Sequence, residues 1–600
     1  VYDAQSLKTV SYSLLYKKAD RLMPAIPLKY RLRALAGGPL RGRMRRARSL
    51  FLAGAKKDCR NAQRAVLKDL LRLNQESAFS RDFRLSAGMT LEQFRTSIPV
   101  SDYEAVRSYV QRVAAGEHSA LLGTSNRLMM FAVTSGTTAE SKLIPVTNRF
   151  LQDYRSGWQM WGIGTYSEHP LLQKLNIVQI SSSHRKFETA GKTPCGNISG
   201  LVAAMQNPIV RTLYTVPSAV AEIQNAETKR YAIMRLALAD PYVGMLITAN
   251  PSTLLQMVDC AAMHCESLIR DIHDGRFSGG ELPAEVQISL SQAMKKSPAR
   301  ARQLEDIVRE HGHLRPRSVW PVLGILGVWC GGSAAAYIPR LRELFDDIPV
   351  RDHGLHASEG RMTLPLENNN PAGVLEIQTH YFEFIPVREA ESDHPIVLEA
   401  HELAEGEDYF ILMTTSSGLY RYNIRDVVRC VGYYGASPLL EFRHKGAHIS
   451  SITGEKIAES QVVESVRTAS LATGVHPRIY TLTPNWGEPP GYTLFIGSGG
   501  MDHKERADPF NSTRDLENFT EVQTQQFRFA TLLDDDLCRR NVEYGEKRMT
   551  GRLQRIAVVS LPEEAWKTFA SRRQLRSGGS AEQYKHPCLL PDPQFESTFL

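Results

Sequence analysis

Five short stretches of the chain hold residues whose types and order could do chemistry together. Thr134-Ser135-Gly136-Thr137-Thr138 sets consecutive hydroxyls and backbone amides around a glycine, an anion nest able to follow the phosphates of a bending nucleotide. It lacks the GxxxxGK(S/T) pattern of a Walker loop and leads into a strand-like run, and a turn of this kind taken alone is more often an ordinary hairpin. In His356-Ala357-Ser358-Glu359-Gly360 a carboxylate sits beside a tight turn, a place where Mg²⁺ can be held together with phosphate oxygens. Gly418-Leu419-Tyr420-Arg421-Tyr422-Asn423-Ile424-Arg425-Asp426 offers Asp426 as acceptor for the two hydroxyls of a ribose, or simply as an ion-pair partner for Arg421. Lys445-Gly446-Ala447 and Gln583-Tyr584-Lys585-His586-Pro587 supply cations, although any single lysine reads first as a solvated surface group. The order of the five, more than any one of them, points to chemistry on a polyphosphate.

The elements that must position these residues are mixed α/β. Residues 50 to 125 read as helices, with Leu67, Leu70, Leu71 and Leu73 near a 3.6 period, and Leu128 to Thr134 and Lys142 to Thr147 read as strands on either side of the hydroxyl-rich loop. Two long helices are expected at Ala219 to Ala239 and from Asn250-Pro251 to Gly275. Strand-like runs follow at Val322 to Val328, Val374 to Thr379, Phe382 to Pro386, Tyr409 to Thr414 and Val427 to Tyr433. From about residue 445 helices alternate with short strands (Ile479 to Leu482, Tyr492 to Ile496, Ile556 to Val559) around a polar stretch at Gly497 to Arg514, which makes a second, smaller α+β domain. The division expected is 1–444, with 1–50 as a basic arm, and 445–600.

Composition bounds the rest. At 600 residues the chain is too long for one core, and no apolar run reaches the length of a transmembrane helix. Eight scattered cysteines form neither a CxxC pair nor a zinc-spaced cluster, and no secretory leader is visible, so reduced thiols and a cytoplasmic location are expected. Lys17 to Arg48 carries eleven Lys/Arg against Asp20 alone, so that everything else holds a net −2 of the formal +8. A near-neutral body argues against nucleic acid as substrate. The basic segment is a solvated face or arm, or a contact for an acidic partner or membrane surface.

With its order of motifs the chain resembles the auxin-responsive acyl acid amido synthetases, a family with many bacterial relatives in the superfamily of firefly luciferase and the acyl-CoA synthetases. The resemblance runs from about residue 80 to 590 and is carried by TSGTTAESKLIPVT at 134–147, WPVLGILGVWCGGSAAAYIPRL at 320–341, the ASEG turn, YFEFIP at 381–386, GLYRY at 418–422, GEKIAE at 454–459, NVEYGEKR at 541–548 and QYKHP at 583–587.

This resemblance implies ATP-dependent activation of a carboxylic acid as its acyl-AMP, then transfer to an amine, with a mobile C-terminal lid turning about Gly446-Ala447. By the same analogy Ser135, Gly136, Thr137 and Thr138 cradle the ATP phosphates, and Gly331, Gly332 and Ser333 lie against the adenine. His356, Ala357 and Ser358 line the nucleotide, Glu359 holds Mg²⁺, Asp426 grips the ribose, Lys445 precedes the hinge and Lys585 bridges the attacking carboxylate and the α-phosphate. Tyr154, Trp158 and Trp161 fall near the acyl pocket of relatives, or are core packing. Two positions depart from the family pattern: Leu355-His356 stands where an aromatic residue is usual, and Arg425 where a glycine precedes the ribose-binding Asp. Arg425 would clash with the nucleotide or reach a phosphate. A thioester-forming ligase shares the first half-reaction, and a non-catalytic nucleotide-binding homologue is the alternative that these departures suggest.

Overall fold

A computed structural model describes residues 25–134, 142–389, 394–446, 457–485, 489–497, 521–549, 551–577 and 584–590, with Ser392 and four positions between 449 and 455 besides. Ser135, Gly136, Thr137 and Thr138 lie outside the described residues, as do Ala447 and nearly all of the polar stretch expected at 497–514.

From Leu28 onward the basic segment is no free arm. It forms two helices, α1 (Leu28–Ala36) and α2 (Gly38–Lys57). The Arg33 guanidinium fastens α1 to the body, donating to Asn176 Oδ1 (2.8 Å), the Leu175 carbonyl (2.9 Å) and the Thr212 carbonyl (2.5 Å). Tyr30 packs edge-on against Tyr242 at 5.4 Å. Phe51 and Ala55 of α2 are buried in the main core. Burial of these side chains, which the charge pattern hid, is what docks the segment.

The expected pair β1 (Leu128–Thr134) and β2 (Lys142–Thr147) is antiparallel, with Thr134 opposite Lys142, so both ends of the hydroxyl-rich loop are fixed at one edge of a four-stranded sheet. Thr147 then caps α3 (Asn148–Glu168) by accepting from the Phe150 amide, as a threonine at the N-cap does. A Cβ at Gly157, midway along α3, would stand 2.4 Å from Arg361 Cδ. The glycine is what lets the helix lie directly over the site.

Two further sheets meet under α3. Strands 176–179, 243–247, 325–327 and 350–351 are parallel, in that order, each entering the next through helices. A seven-stranded antiparallel sheet has β3 (Tyr422–Tyr434) and β4 (Ser437–Lys445) as neighbours at its centre. Each sheet has its own buried cluster, and a third cluster lies in the C-terminal part, where α4 (Glu459–Thr473) and helices 521–540, 542–549 and 563–577 surround strands 480–485, 491–497 and 557–561. Ala335 of the large part packs against that third cluster. The fold is α/β, as the sequence indicates. No helix among the described residues is long and apolar enough to cross a membrane.

Several boundaries differ from expectation. The helix expected at 219–239 is a short 3₁₀ turn (Ser218–Glu222) and then Ala226–Ala239, because Asn225 caps a new start by accepting from the Thr228 amide. The helix from Pro251 breaks at His264, and only the second piece, Cys265–Asp274, reaches Gly275. The strand at Val322 to Val328 shrinks to Ile325–Gly327, since Gly324 interrupts its apolar run.

Candidate active site

The C-terminal ends of parallel strands are where α/β proteins bind ligands, because side chains and loops there converge on a crevice. In this chain Asn250 follows the strand 243–247, Trp329 and Cys330 follow 325–327, and Asp352 and His353 follow 350–351. Asp352 ties two of these ends together, accepting from the Cys330 amide and the Gly354 amide, each at 2.6 Å. Burial pushes its carboxyl up to about 6 against those two donors.

Next to them, His356–Ala357 and Gly360–Arg361 pair antiparallel, which leaves Ser358 and Glu359 as the two residues at the tip of a tight hairpin. Glu359 is buried. Burial raises its carboxyl above the ordinary range, Lys445 and Lys142 pull it down, and Asp426 raises it further. Lys142 is the first residue after the hydroxyl-rich loop, so the base of that loop faces the same carboxylate.

Asp426 and Lys445 stand opposite each other across β3 and β4, and Lys445 Nζ donates to Asp426 Oδ1 at 2.7 Å. Burial works against the Lys445 ammonium, but Asp426 and Glu359 outweigh it and its pKa ends above the usual value. The preceding Arg425 has φ +59°, the left-handed region, which explains why a glycine suits that position. Its side chain turns to the surface and pairs with Asp102 at 3.1 Å. In this arrangement the Arg425 guanidinium is held at the surface by Asp102, while Asp426 pairs with Lys445. Arg421 does not pair with Asp426; its Nε donates to Glu383 at 2.9 Å.

Lys585 enters from the C-terminal part. Residues 588–590 run beside strand 480–485, with the Leu482 amide donating to the Cys588 carbonyl and the Leu590 amide to the Leu482 carbonyl, both at 2.9 Å. His586 lies 2.8 Å from Thr481 Oγ1, and Glu459 at the start of α4 accepts from the Cys588 amide at 2.7 Å. Asn250 Nδ2 donates to the Tyr584 carbonyl at 2.5 Å and fastens this segment to the large part. So held, Lys585 Nζ lies 4.0 Å from the centroid of the Trp329 ring and 5.9 Å from that of Phe442. The side chain keeps solvent access at the cleft mouth while protein crowds it. Burial and Lys445 bring its ammonium down to about 8, with Asp426, Glu459 and Asp352 opposing.

Trp329 connects this lysine to a cluster of rings. His356 lies 4.9 Å from Trp329, 5.6 Å from Trp158 and 6.3 Å from Tyr154, and His353 lies 4.9 Å from Trp158. Burial, with Arg361 adding, takes His356 down to about 3, so its imidazole is neutral. Trp161 is buried with its Nε1 donating to the Asp352 carbonyl at 2.7 Å, a packing and anchoring role, whereas Trp158 remains half-buried at the cluster's centre. Beneath it the Arg361 guanidinium lies 4.9 Å from the Trp158 ring and 3.5 Å from Glu376. Burial pushes the Glu376 carboxyl up to about 8 despite Arg361.

Gly331 and Gly332 sit at the edge of β4. Gly332 has φ +57°, and a Cβ there would lie 2.6 Å from the Phe442 ring; at Gly331 it would stand 3.0 Å from Pro371. Packing against these residues accounts for both glycines. Ser333 is the second residue of the 3₁₀ turn Gly332–Tyr337, its side chain lying outside the described residues.

Among the residues expected from sequence, the structure brings Asp426 and Lys445 within electrostatic range of Glu359 on one side and of Lys585 on the other, and sets His356 with Tyr154, Trp158 and Trp161. Sequence reasoning missed Trp329, His353, Arg361 and Glu376. Trp329 had a signal, an indole between an apolar strand and a glycine pair; the others had none beyond their neighbourhood of the ASEG turn.

The architecture is α/β, with the Lys585 segment of the C-terminal part brought against Asn250 and Trp329 at the ends of the parallel strands. Family models sharpen this: the GH3 family N-terminal domain matches residues 50–350, the GH3 family central domain 373–445 and the GH3 family C-terminal domain 460–594, and the chain belongs to the GH3 family. Among curated relatives it is similar to indole-3-acetic acid-amido synthetase GH3.15 of Arabidopsis thaliana, 24% identical over 550 residues that cover 88% of this chain and 89% of that protein. A probable indole-3-acetic acid-amido synthetase, GH3.4 of Oryza sativa subsp. japonica, is 27% identical over 68% of each. Among solved structures, that of the GH3.15 acyl acid amido synthetase shares the fold, with a TM-score of 0.77 at 20% identity over 91% of this chain and 94% of the other. The chain is thus a ligase of the amido synthetase kind.

Proposed function

We propose that this ligase uses ATP to activate a carboxylic acid as its acyl-AMP and then passes the acyl group to the amine of an amino acid, releasing AMP and pyrophosphate. The observation that carries this reading is the meeting of Lys585, from one end of the chain, with Lys445 and Asp426, which in turn face Glu359. A carboxylate attacking a polyphosphate brings two anions together, so the site must supply positive charge where negative charge concentrates.

In the first half-reaction a carboxylate oxygen of the acid bonds to the α-phosphorus, and the bond from that phosphorus to the bridging oxygen of pyrophosphate breaks. Lys585, at the cleft mouth, is placed to touch both the attacking carboxylate and the α-phosphate. Asp426 is positioned to accept from the ribose hydroxyls, for which Lys445 must share or give up its hydrogen bond. The loop at 135–138, tethered at Thr134 and Lys142, is the candidate cradle for the β- and γ-phosphates. In the second half-reaction the amine nitrogen bonds to the acyl carbon, the acyl–phosphate oxygen leaves with AMP, and the ammonium formed loses its proton to solvent.

The donor set fits Mg²⁺. Glu359 is a buried carboxylate at a hairpin tip, flanked by Lys445, Lys142 and Asp426. Mg²⁺ typically takes one or two carboxylates and completes its shell with phosphate oxygens and water. Glu359 would hold it, and when bound the ion supplies positive charge to the leaving pyrophosphate.

We further propose the hinge of a lid movement at about Gly446-Ala447, just after Lys445, where the Gly446 amide donates to the Arg425 carbonyl at 2.7 Å and the chain leaves the central sheet. The large domain then ends at 444 and the small one spans 445–600. Eight free cysteines, four of them with thiols raised to about 11 by burial, suit a reducing compartment, and we assign the enzyme to the cytoplasm. The test is pyrophosphate exchange into ATP, screened over aromatic, fatty and small polar acids, followed by mass spectrometry for an amide with added amino acids. Exchange with no acid in the panel overturns the reading, and thioester formation with added coenzyme A in place of amide overturns its second half.

A further inference from the structure

The two N-terminal helices carry a feature that the reaction does not use. Between Leu28 and Lys57 stand ten Lys/Arg and no Asp or Glu. On α1, Leu28, Leu32 and Leu35 fall at i, i+4 and i+7, one face of a helix, and they are 67%, 55% and 74% exposed. Lys29 and Arg31, both exposed, flank that face. The opposite side is what fastens the helix: Ala34 is buried, Tyr30 packs on Tyr242, and Arg33 makes its three hydrogen bonds to the body. The orientation of the leucine stripe is therefore set from below. On α2, Leu50 is 62% exposed beside a face with Arg43 and Arg46.

Three leucines left in water on nine residues are costly unless something covers them, and the surrounding cations select what that is. A second copy of the chain docking by a two-fold contact would bring two all-cationic surfaces together. Nucleic acid or an acidic protein tail would be met by the cations alone and gives the leucines nothing to do. An anionic lipid surface satisfies both halves: leucines enter the acyl boundary while Lys29 and Arg31 stay at the headgroups. We propose that α1, supported by the basic face of α2, is a peripheral docking surface for anionic phospholipid membranes.

Co-sedimentation with vesicles tests it, using phosphatidylglycerol and phosphatidylcholine in equal parts against phosphatidylcholine alone. The full-length protein is expected to pellet with the first and remain in the supernatant with the second. Lys29→Glu/Arg31→Glu should weaken vesicle binding by about fivefold per cation removed. Leu28→Ser/Leu32→Ser/Leu35→Ser should weaken it by at least about tenfold at low salt, with circular dichroism and thermal unfolding unchanged because the replaced side chains are exposed. Equal pelleting with both vesicle types, or binding indifferent to the leucine variant, overturns the proposal. So does sedimentation velocity in which the leucine variant abolishes self-association while vesicle binding persists, and so does tighter binding to RNA than to the anionic vesicles.

Discussion

Lys445 and Asp426 are cross-strand partners at the centre of the antiparallel sheet, their side chains 2.7 Å apart and each within the electrostatic reach of Glu359 and Lys585. A half-exposed ammonium clasped on a buried carboxylate holds that carboxylate aimed. Leaving a buried carboxylate unpaired costs more than the pair itself contributes.

Removing the charge at position 426 should therefore be felt chiefly in nucleotide affinity. Asp426→Asn is expected to raise the KM for ATP in pyrophosphate exchange by roughly 10- to 100-fold, the range for a lost hydrogen bond to a charged group. An unchanged KM for ATP would show that the ribose lies elsewhere.

Lys585→Ala should separate the two half-reactions. Acyl-AMP formation is expected to fall by about 10²–10³, while aminolysis of supplied acyl-AMP changes only a few-fold. The ammonium is the useful form and its pKa is brought down to about 8, so kcat/KM for adenylation should decline as pH rises through that value. Lys585→Arg, if it retains activity, should lose the decline, because a guanidinium stays charged throughout.

Arg425 occupies a left-handed backbone conformation with its side chain paired to Asp102 on the surface. Arg425→Gly relieves about 1–2 kcal/mol of steric cost, against an entropy loss of about 0.5–1 kcal/mol and an exposed ion pair of about 0–1 kcal/mol. The sum predicts a stability change within about 1 kcal/mol, read by denaturant unfolding, and a KM for ATP within twofold of wild type. A large rise in that KM would return Arg425 to the nucleotide.

The buried pair beneath Trp158 sets a pH dependence of stability. Burial raises the Glu376 carboxyl from 4.5 to about 8. The folded protein then binds the proton that the unfolded chain has released, so stability falls as pH rises between those values. Glu376→Gln should flatten the slope of Tm against pH in that window, and an unaltered slope would assign it to other groups.

What was legible in the sequence was local. Alternating apolar residues and hydrophobic runs mark β1, β2 and the strand 409–414 nearly to the residue, and the order of short motifs points to the site. What stayed hidden depended on contacts far along the chain. Nothing in Leu28 to Arg48 says that Arg33 will find Asn176, so a docked pair of helices reads as an arm. Arg425 reads as an obstruction because the backbone twist that turns it toward Asp102 has no signature in residue type. Arg361 and Glu376 meet only when a hairpin and the end of strand 373–375 are stacked under α3, and neither residue stands out alone.

The segment that carries Lys585 is stitched to strand 480–485 on one side of it and to Asn250 on the other. A lysine on a free tail could come and go by itself; this one travels only with the sheet to which it is sewn. On the role proposed for Lys585, a substitution that shifts strand 480–485 would act as a dimmer on acyl-AMP formation while leaving Asp352, Glu359 and Asp426 untouched.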